Sequence, residues 1–435
     1  MTERYHGIPR DLFNALAAGG GGPEAISVLA SAEQSKHVTL LRGVLAGAER
    51  GDAAQARCAR LGWEVLAEVD RVDHKAAALV MGYPAVGAWA TRTLSAIDAD
   101  GTASEPDCGR LAAVAAAAAI RSGVDVGVPV LPVAGMVSLP SIGAARVDAD
   151  SAVVISRPGR AEVRSAEGRV EIPSDPRGDA PGWLGIRSCQ AGGLAALIED
   201  LDPFRMPAVS GLAPRLSEGE TRAWRRALRQ GWRVLATGHP AIAAEVAAAI
   251  SVVVPLSSSP HGQLSSSSPE TFGAVAMSEP SDPATCASTF THELQHLKLC
   301  AVLDIVRLTR PDNGRRYYAP WRTDPRPVAG LLQGAYAYLG VTEFWRRERE
   351  LATGAAQLRA DGEFALWRIG TARVIDTLLS TDRLTPDGTD FVGHMRETAS
   401  EWGAEPVSRQ ARTFALSASR RHIARWELDN GPAGV

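Results

Sequence analysis

Apolar residues recur every three to four positions over much of the chain, and this spacing predicts a mostly helical protein. In residues 23–50, for example, Ile26, Leu29, Leu40 and Leu41 fall on one helical face. The spacing, together with caps and breakers, predicts helices over residues 9–17, 23–50, 52–70, 83–97, 106–121, 217–230, 239–249, 328–351, 362–379, 386–402 and 405–428.

Short runs of β-branched residues predict the strands. Four such runs between residues 124 and 186 predict a β-meander, and two more, residues 250–256 and 271–277, precede another helical segment. We therefore expect an α+β fold with an N-terminal helical region and small β-meander (residues 1–205), then a second, mostly helical region (residues 206–435).

The motif is His292-Glu293-Leu294-Gln295-His296, which has the pattern H-E-x-x-H. Asp282 is a suitable N-cap and Pro283 a suitable first residue for a helix that contains it. Residues four apart on a helix face the same side, so both imidazoles can bind one metal ion with Glu293 beside it. His292 and His296 are the predicted metal ligands and Glu293 the predicted catalytic residue. A strand directly before such a motif helix is the order found in zincin-type metallopeptidases. Residues 206–435 are therefore predicted to be a zincin-like catalytic half, with the motif helix packed on a second helix and a small mixed sheet.

A third ligand is harder to identify. The residues after His296 lack the Gly and His of the extended metzincin motif, so the source should be the helix over residues 328–351. Gln333 lies on the narrow, glycine-rich face of that helix and could bind the ion or hydrogen-bond a ligand. Glu343 offers a carboxylate, but ten residues of helix, about 15 Å, separate it from Gln333.

Between the two helices lies a loop rich in Arg, Pro and aromatic residues, including Arg322 and Arg326. Guanidinium groups bind carboxylates with two parallel hydrogen bonds. This loop is the predicted binding wall for a carboxylate.

Composition narrows the class of protein. The formal net charge is −3, which favours neither a nucleic-acid nor a membrane-surface partner. Five scattered cysteines without a C-x-x-C pattern argue against a disulfide framework. Residues 1–6 are polar and lack a hydrophobic signal region, so we expect a cytoplasmic protein.

Three segments together resemble the HEXXH-motif domain proteins of bacterial clusters that make ribosomally synthesised, modified peptides. They are residues 292–299, residues 318–327 (Tyr-Ala-Pro-Trp-Arg-x-Asp-Pro-Arg-Pro) and residues 330–337 (Gly-Leu-Leu-Gln-Gly-x-Tyr-Ala). Residues 12–22, with Ser35-Lys36-His37, are also typical of that family. Many of its members carry His where this chain has Gln333.

The resemblance implies a peptide β-hydroxylase that depends on Fe(II) and 2-oxoglutarate. His292 and His296 would then bind Fe(II), and Arg326 or Arg322 would hold the 2-oxoglutarate carboxylate. The implied partners are a ribosomally made precursor peptide and a radical-SAM maturase from the same cluster. Two alternatives stay open: a zinc metallopeptidase with Glu293 as general base, and a binding module with a vestigial site.

Overall fold

The computed structural model describes residues 6–99, 106–207, 209–258 and 262–431, so five of the six polar N-terminal residues lie outside it. The chain is mostly helical with small sheets, which confirms the α+β class. It divides into two compact units that alternate along the sequence. The first unit comprises Met1–Ala30, Ala227–Ala249 and Pro280–Val435, and the second comprises Ser31–Arg226 and Ile250–Glu279. The predicted boundary between residues 205 and 206 lies inside the second unit.

The N-terminal helices follow the predicted amphipathic segments closely. The prediction missed one short helix, which lies between the predicted helices over residues 52–70 and 83–97. It begins after Asp73, whose side chain accepts a hydrogen bond from the backbone N–H of Ala76. The bounds are α1 (Arg10–Ala17), α2 (Gly22–Ala48), α3 (Ala53–Val72), α4 (His74–Met81), α5 (Pro84–Asp98) and α6 (Arg110–Ser122).

The predicted meander is richer in strands than its sequence indicated. Its strands are β1 (Val126–Val130), β2 (Met136–Leu139), β3 (Gly143–Arg146), β4 (Ala152–Arg157), β5 (Arg160–Ser165), β6 (Gly168–Ile172) and β7 (Trp183–Gly185). Two further strands follow it, β8 (Arg187–Ala191) and β9 (Leu194–Ile198). Next come α7 (Glu218–Gly238), α8 (Pro240–Ala249), β10 (Val252–Leu256), β11 (Ser265–Ser266) and β12 (Ala274–Ser278).

These strands form three sheets, all in the second unit. An antiparallel sheet has the order β1-β4-β5-β6, and a smaller one has the order β2-β3-β7. The third, with the order β11-β12-β10-β9-β8, is mixed, because β9, β10 and β12 run parallel. This mixed sheet contains strands from both sides of the predicted boundary between residues 205 and 206. The alanine-rich helix α6 is largely buried and packs on the sheets, and small side chains allow that close approach.

The remaining helices belong to the first unit. They are α9 (Pro283–Ile305), α10 (Val328–Leu351), α11 (Gly354–Ser380), α12 (Pro386–Gly403) and α13 (Arg409–Asn430). The N-cap of α9 is Asp282, whose carboxylate accepts from the Thr285 N–H at 2.9 Å, with Pro283 first in the helix as predicted. α9 packs along α10, and α10 packs along α11. In the described part of the chain, no helix has the length and apolar character needed to cross a membrane.

Candidate metal centre

The two motif histidines meet on the half-buried face of α9. Their Nε2 atoms lie 3.1 Å apart, and the rings are at 74° to each other. Two nitrogens at that separation, each about 2.0–2.1 Å from one ion, would subtend about 100° at the ion, between octahedral and tetrahedral values. The distance equally fits a hydrogen bond from one ring to the other when no ion is present. The donor pair therefore fits a divalent metal.

Gln333 lies behind His296. Its Oε1 is 3.0 Å from His296 Nδ1, and its Nε2 donates to Cys300 Sγ at 3.5 Å. An amide oxygen can only accept, so Nδ1 carries the proton and Nε2 keeps its lone pair for a metal. The sequence prediction placed Gln333 among the metal ligands. The structure places its amide oxygen against Nδ1 of His296, a predicted ligand, where it fixes that ring's tautomer and orientation.

Glu293 is buried, with 1% of its surface exposed. Its Oε1 is 4.0 Å from His292 Nε2, and its Oε2 has no hydrogen-bond partner among the described residues. A buried carboxylate oxygen without a partner is costly unless water, a ligand or an ion completes it. Burial lowers the pKa of His292 well below its ordinary value, and the charge of His296 acts in the same direction. His292 is therefore neutral, the state that binds metal.

Half-buried Tyr338 adjoins His292, and two further half-buried aromatic side chains pack on Tyr338. The Tyr338 ring meets His292 edge-on at 5.2 Å, Trp321 stacks on Tyr338 at 4.7 Å and 13°, and Trp367 tilts against it at 4.3 Å. Trp367 Nε1 donates to the Glu363 carboxylate at 2.7 Å. Burial raises the pKa of Tyr338, and the charges of Glu363 and Glu293 add to the effect, so its hydroxyl keeps its proton at neutral pH.

Glycines in α10 let neighbouring groups approach its backbone. A Cβ at Gly334 would overlap the Trp321 indole, and one at Gly340 would overlap the Gln295 amide. The loop before α10 is therefore held against the helix next to the histidine pair. These close contacts account for the two glycines, although each Gly costs the helix about 1 kcal/mol relative to Ala.

Two arginines of that loop, Arg322 and Arg326, donate hydrogen bonds to a carboxylate within the loop. Arg322 Nε donates to Asp324 at 2.8 Å, and Arg326 Nη1 donates to the same carboxylate at 3.0 Å. Arg326 also lies over Gly330 in the first turn of α10. Within the described ranges, neither guanidinium forms a hydrogen bond or ion pair with the motif residues or Gln333.

Glu343, the other predicted source of a ligand, is likewise away from the histidines. It pairs with Arg346 at 3.3 Å and lines a separate cavity of about 540 Å³ beside Gln295 and Gly340. Burial raises the pKa of Glu343, partly offset by Arg346. Across the residues that the structure describes, no three His, Cys, Asp or Glu side chains are grouped as a metal site. Two imidazoles are thus the protein donors that the geometry brings together.

A buried charged cluster anchors the motif helix from its other side. Lys298, fully buried, donates to Glu245 at 2.8 Å and to the Gly19 carbonyl at 2.9 Å, and Gln295 donates to the same carbonyl at 2.8 Å. The Glu245 carboxylate also accepts from the Gly22 N–H. These contacts attach the glycine-rich turn between α1 and α2 to the residues just before and after His296, and they fix that part of α9.

Sequence reasoning missed Glu363 and Trp367. They stand four residues apart on α11, in an E-x-x-x-W spacing that places both on one helical face, but this signal is weak without knowledge that α11 packs on α10. No protein-family model matches the chain, and no curated protein matches it significantly.

Proposed function

We propose that this chain is a metal-dependent peptide-modifying enzyme, and that it hydroxylates a side chain of a ribosomally made precursor peptide with Fe(II) and 2-oxoglutarate. The observation that carries the metal assignment is the 3.1 Å separation of His292 Nε2 and His296 Nε2. The lone Oε2 of Glu293 beside that pair supports a site that is completed by a ligand. The order β12, then α9, and the packing of α9 on α10 support a zincin-like catalytic half.

His292 and His296 would hold Fe(II), which would supply the redox chemistry of hydroxylation together with 2-oxoglutarate and O₂. The protein's own groups do the rest. Gln333 keeps His296 Nε2 available by holding the proton on Nδ1. Glu293 is placed to accept or return a proton at Oε2. Tyr338, with Trp321 stacked on it, forms a wall on one side of His292.

The cosubstrate carboxylate is assigned to Arg326 or Arg322. Both share Asp324 without cosubstrate, and an exposed pair of this kind contributes little, so one of them can exchange Asp324 for 2-oxoglutarate. Arg326 is the better candidate, because its side chain is less exposed than that of Arg322, 36% against 52%. Two observations support this assignment. The loop carries the guanidinium groups of Arg322 and Arg326, and its Trp321 stacks on Tyr338, which contacts His292.

The test is a 2-oxoglutarate titration of the anaerobic Fe(II) protein, followed by the charge-transfer band of the complex. Loss of a charge-assisted hydrogen bond of about 1.5–3 kcal/mol should weaken binding by roughly 10- to 150-fold in Arg326→Ala. Asp324→Asn should bind at least as tightly as the wild type, because it frees the arginines. Arg316→Ala, in the same loop but paired with Asp312, is the matched control. Unchanged affinity in both Arg326→Ala and Arg322→Ala would contradict the assignment.

A zinc peptidase that cleaves a leader or precursor peptide is the second candidate. The buried, unpartnered Glu293 Oε2 favours it, because a general base for an attacking water needs a free acceptor at that place. Peptide-bond cleavage with Zn(II), without consumption of 2-oxoglutarate, would establish this function instead. A radical-SAM maturase as partner and a cytoplasmic location rest on the sequence resemblance and composition alone.

A further inference from the structure

The second unit contains a cavity of about 640 Å³. Its walls are the end of α6, the turn between β4 and β5, the end of β6 and the segment that follows β6. Aliphatic side chains contribute much of the lining: Ile120, Ile142, Ile172, Ile186 and Leu197. A cavity of this size is in the range of ligand sites, which bury apolar groups and place a few polar ones.

Four arginines line the same cavity: Arg121, Arg157, Arg160 and Arg177. Asp175 is the single carboxylate among the lining residues, and its Oδ1 accepts from the Arg177 backbone N–H. The cavity therefore has a net positive charge, although the whole chain is slightly acidic.

The arginines are weakly engaged by the protein. Arg157 and Arg160 are exposed, and their ion pairs with Asp125 and Glu171 are 3.9 Å and 3.2 Å long, so these pairs contribute little. The Arg177 side chain has no carboxylate partner among the described residues. An anionic ligand can replace these contacts at small cost.

Arg121, by contrast, is held in place. Its Nε donates to Ser141 Oγ at 3.0 Å and its Nη2 donates to the Ser141 carbonyl at 2.6 Å. Ser141 is buried and has a φ of +67°, a left-handed conformation that is uncommon outside Gly. Strained residues of this kind cluster at ligand sites, where the surrounding structure fixes them. Burial lowers the pKa of Arg121, and the charge of Arg177 acts in the same direction.

An edge strand of one sheet ends at the cavity. β6 pairs with β5 on one side and, among the described residues, has no hydrogen-bonded strand on its other side. Its last residue, Ile172, lines the cavity. An extended peptide can add to such an edge through its main chain and place alternate side chains in a neighbouring pocket.

We propose that this cavity binds an acidic peptide segment in which carboxylate side chains alternate with aliphatic ones. The arginines bind the carboxylates, and the isoleucine and leucine side chains that line the cavity pack against the aliphatic groups. A nucleotide is a poorer fit, because the described residues that line the cavity include no aromatic ring for a base to stack on. This site lies outside the metal centre, so the proposal does not depend on the reaction proposed above.

The test measures binding, not turnover. A fluorescein-labelled peptide of alternating Glu and Leu is titrated with the full chain and followed by fluorescence anisotropy. A peptide of alternating Gln and Leu tests the contribution of the carboxylates. A peptide of alternating Glu and Ser tests the contribution of the aliphatic side chains. The variant Arg160→Glu/Arg177→Glu reverses two exposed cavity arginines. Arg57→Glu/Arg60→Glu, on the exposed side of α3, makes the same charge change outside the cavity.

The Glu–Leu peptide should bind at least about tenfold more tightly than either comparison peptide. The cavity variant should lose about tenfold or more in affinity, while the α3 variant stays within about twofold of the wild type. Equal losses in both variants would reduce the effect to general charge attraction and overturn the proposal. So would equal affinity for the Gln–Leu peptide, or equal affinity for an unrelated polyanion such as a single-stranded oligonucleotide.

Discussion

His296 Nδ1 donates a hydrogen bond to Gln333 Oε1 at 3.0 Å, which ties the second motif histidine to the neighbouring helix. The contact leaves His296 Nε2 as an acceptor 3.1 Å from His292 Nε2. The sequence suggested that Gln333 could bind the ion or hydrogen-bond a ligand, and the observed contact is with the outer nitrogen of a predicted ligand. Substitution of Gln333 should change metal affinity without removing the site.

Gln333→Met keeps the size of the side chain and removes the acceptor. We expect metal affinity to fall by about 10- to 100-fold, the usual effect of losing a partner that orients a metal ligand. Gln333→Glu supplies a carboxylate acceptor to the same Nδ1 and should restore most of that affinity. Competition with a metal-binding dye gives both constants. If Gln333→Met binds metal as tightly as the wild type, His296 does not depend on this contact.

Glu293→Gln separates the two candidate reactions. The amide is nearly isosteric with the carboxylate, so fold and metal content should be retained. A peptidase should lose nearly all turnover, because the amide cannot accept the proton of the attacking water. An oxygenase should retain measurable turnover, since its oxidant derives from O₂. Mass spectrometry of a candidate peptide distinguishes cleavage from an added oxygen atom.

Gly334→Ala should destabilise the first unit, although alanine is the better helix former. The added Cβ overlaps the Trp321 indole, and overpacking of this kind costs about 1–3 kcal/mol. Gly393→Ala in α12 is the matched control, because a Cβ there meets nothing within 4 Å and should stabilise the helix by up to about 1 kcal/mol. Chemical denaturation gives both free energies of unfolding. Faster hydrogen exchange in residues 317–327 of Gly334→Ala would locate the damage, and equal shifts in the two variants would contradict the proposed Trp321 contact.

His37 should give the second unit a pH-dependent stability. Burial lowers the pKa of His37 from 6.5 to about 4, while its Nδ1 contacts the Met81 carbonyl at 2.8 Å. Below pH 6.5 the unfolded chain therefore takes up the proton first, and stability falls as pH falls toward 4. Between about pH 7.5 and pH 5 this one group should cost about 2 kcal/mol.

His37→Gln should remove that part of the pH dependence while keeping a donor for Met81. His74→Gln, at an exposed histidine of the same unit, should leave the pH dependence of stability unchanged. Urea unfolding at the two pH values measures the difference. An equal slope in wild type and His37→Gln would show that His37 titrates normally.

The local pattern of the sequence predicted much of what holds the site. Asp282 as N-cap, Pro283 as the first helical residue and a second helix over residues 328–351 all agree with the structure, because caps and periodicity act within a few residues. The facing histidines follow from the same helical geometry.

What sequence reasoning missed depends on packing between distant segments. β9 pairs with β10 across about fifty residues, Val252 opposite Leu197, and nothing local specifies that partner. Whether Gln333 is a ligand or a ligand's partner depends on how α10 is rotated against α9, which the glycines at 334 and 340 set together with Trp321 and Gln295.

The most direct measurement for the central assignment is the metal content of anaerobically reconstituted protein, measured by atomic emission. The account predicts about one Fe(II) ion per chain in the wild type and almost none in His292→Ala or His296→Ala. Both variants should keep their helical circular dichroism, because the apolar packing of α9 remains. Retention of about one ion per chain in either folded variant would contradict a metal centre at His292 and His296.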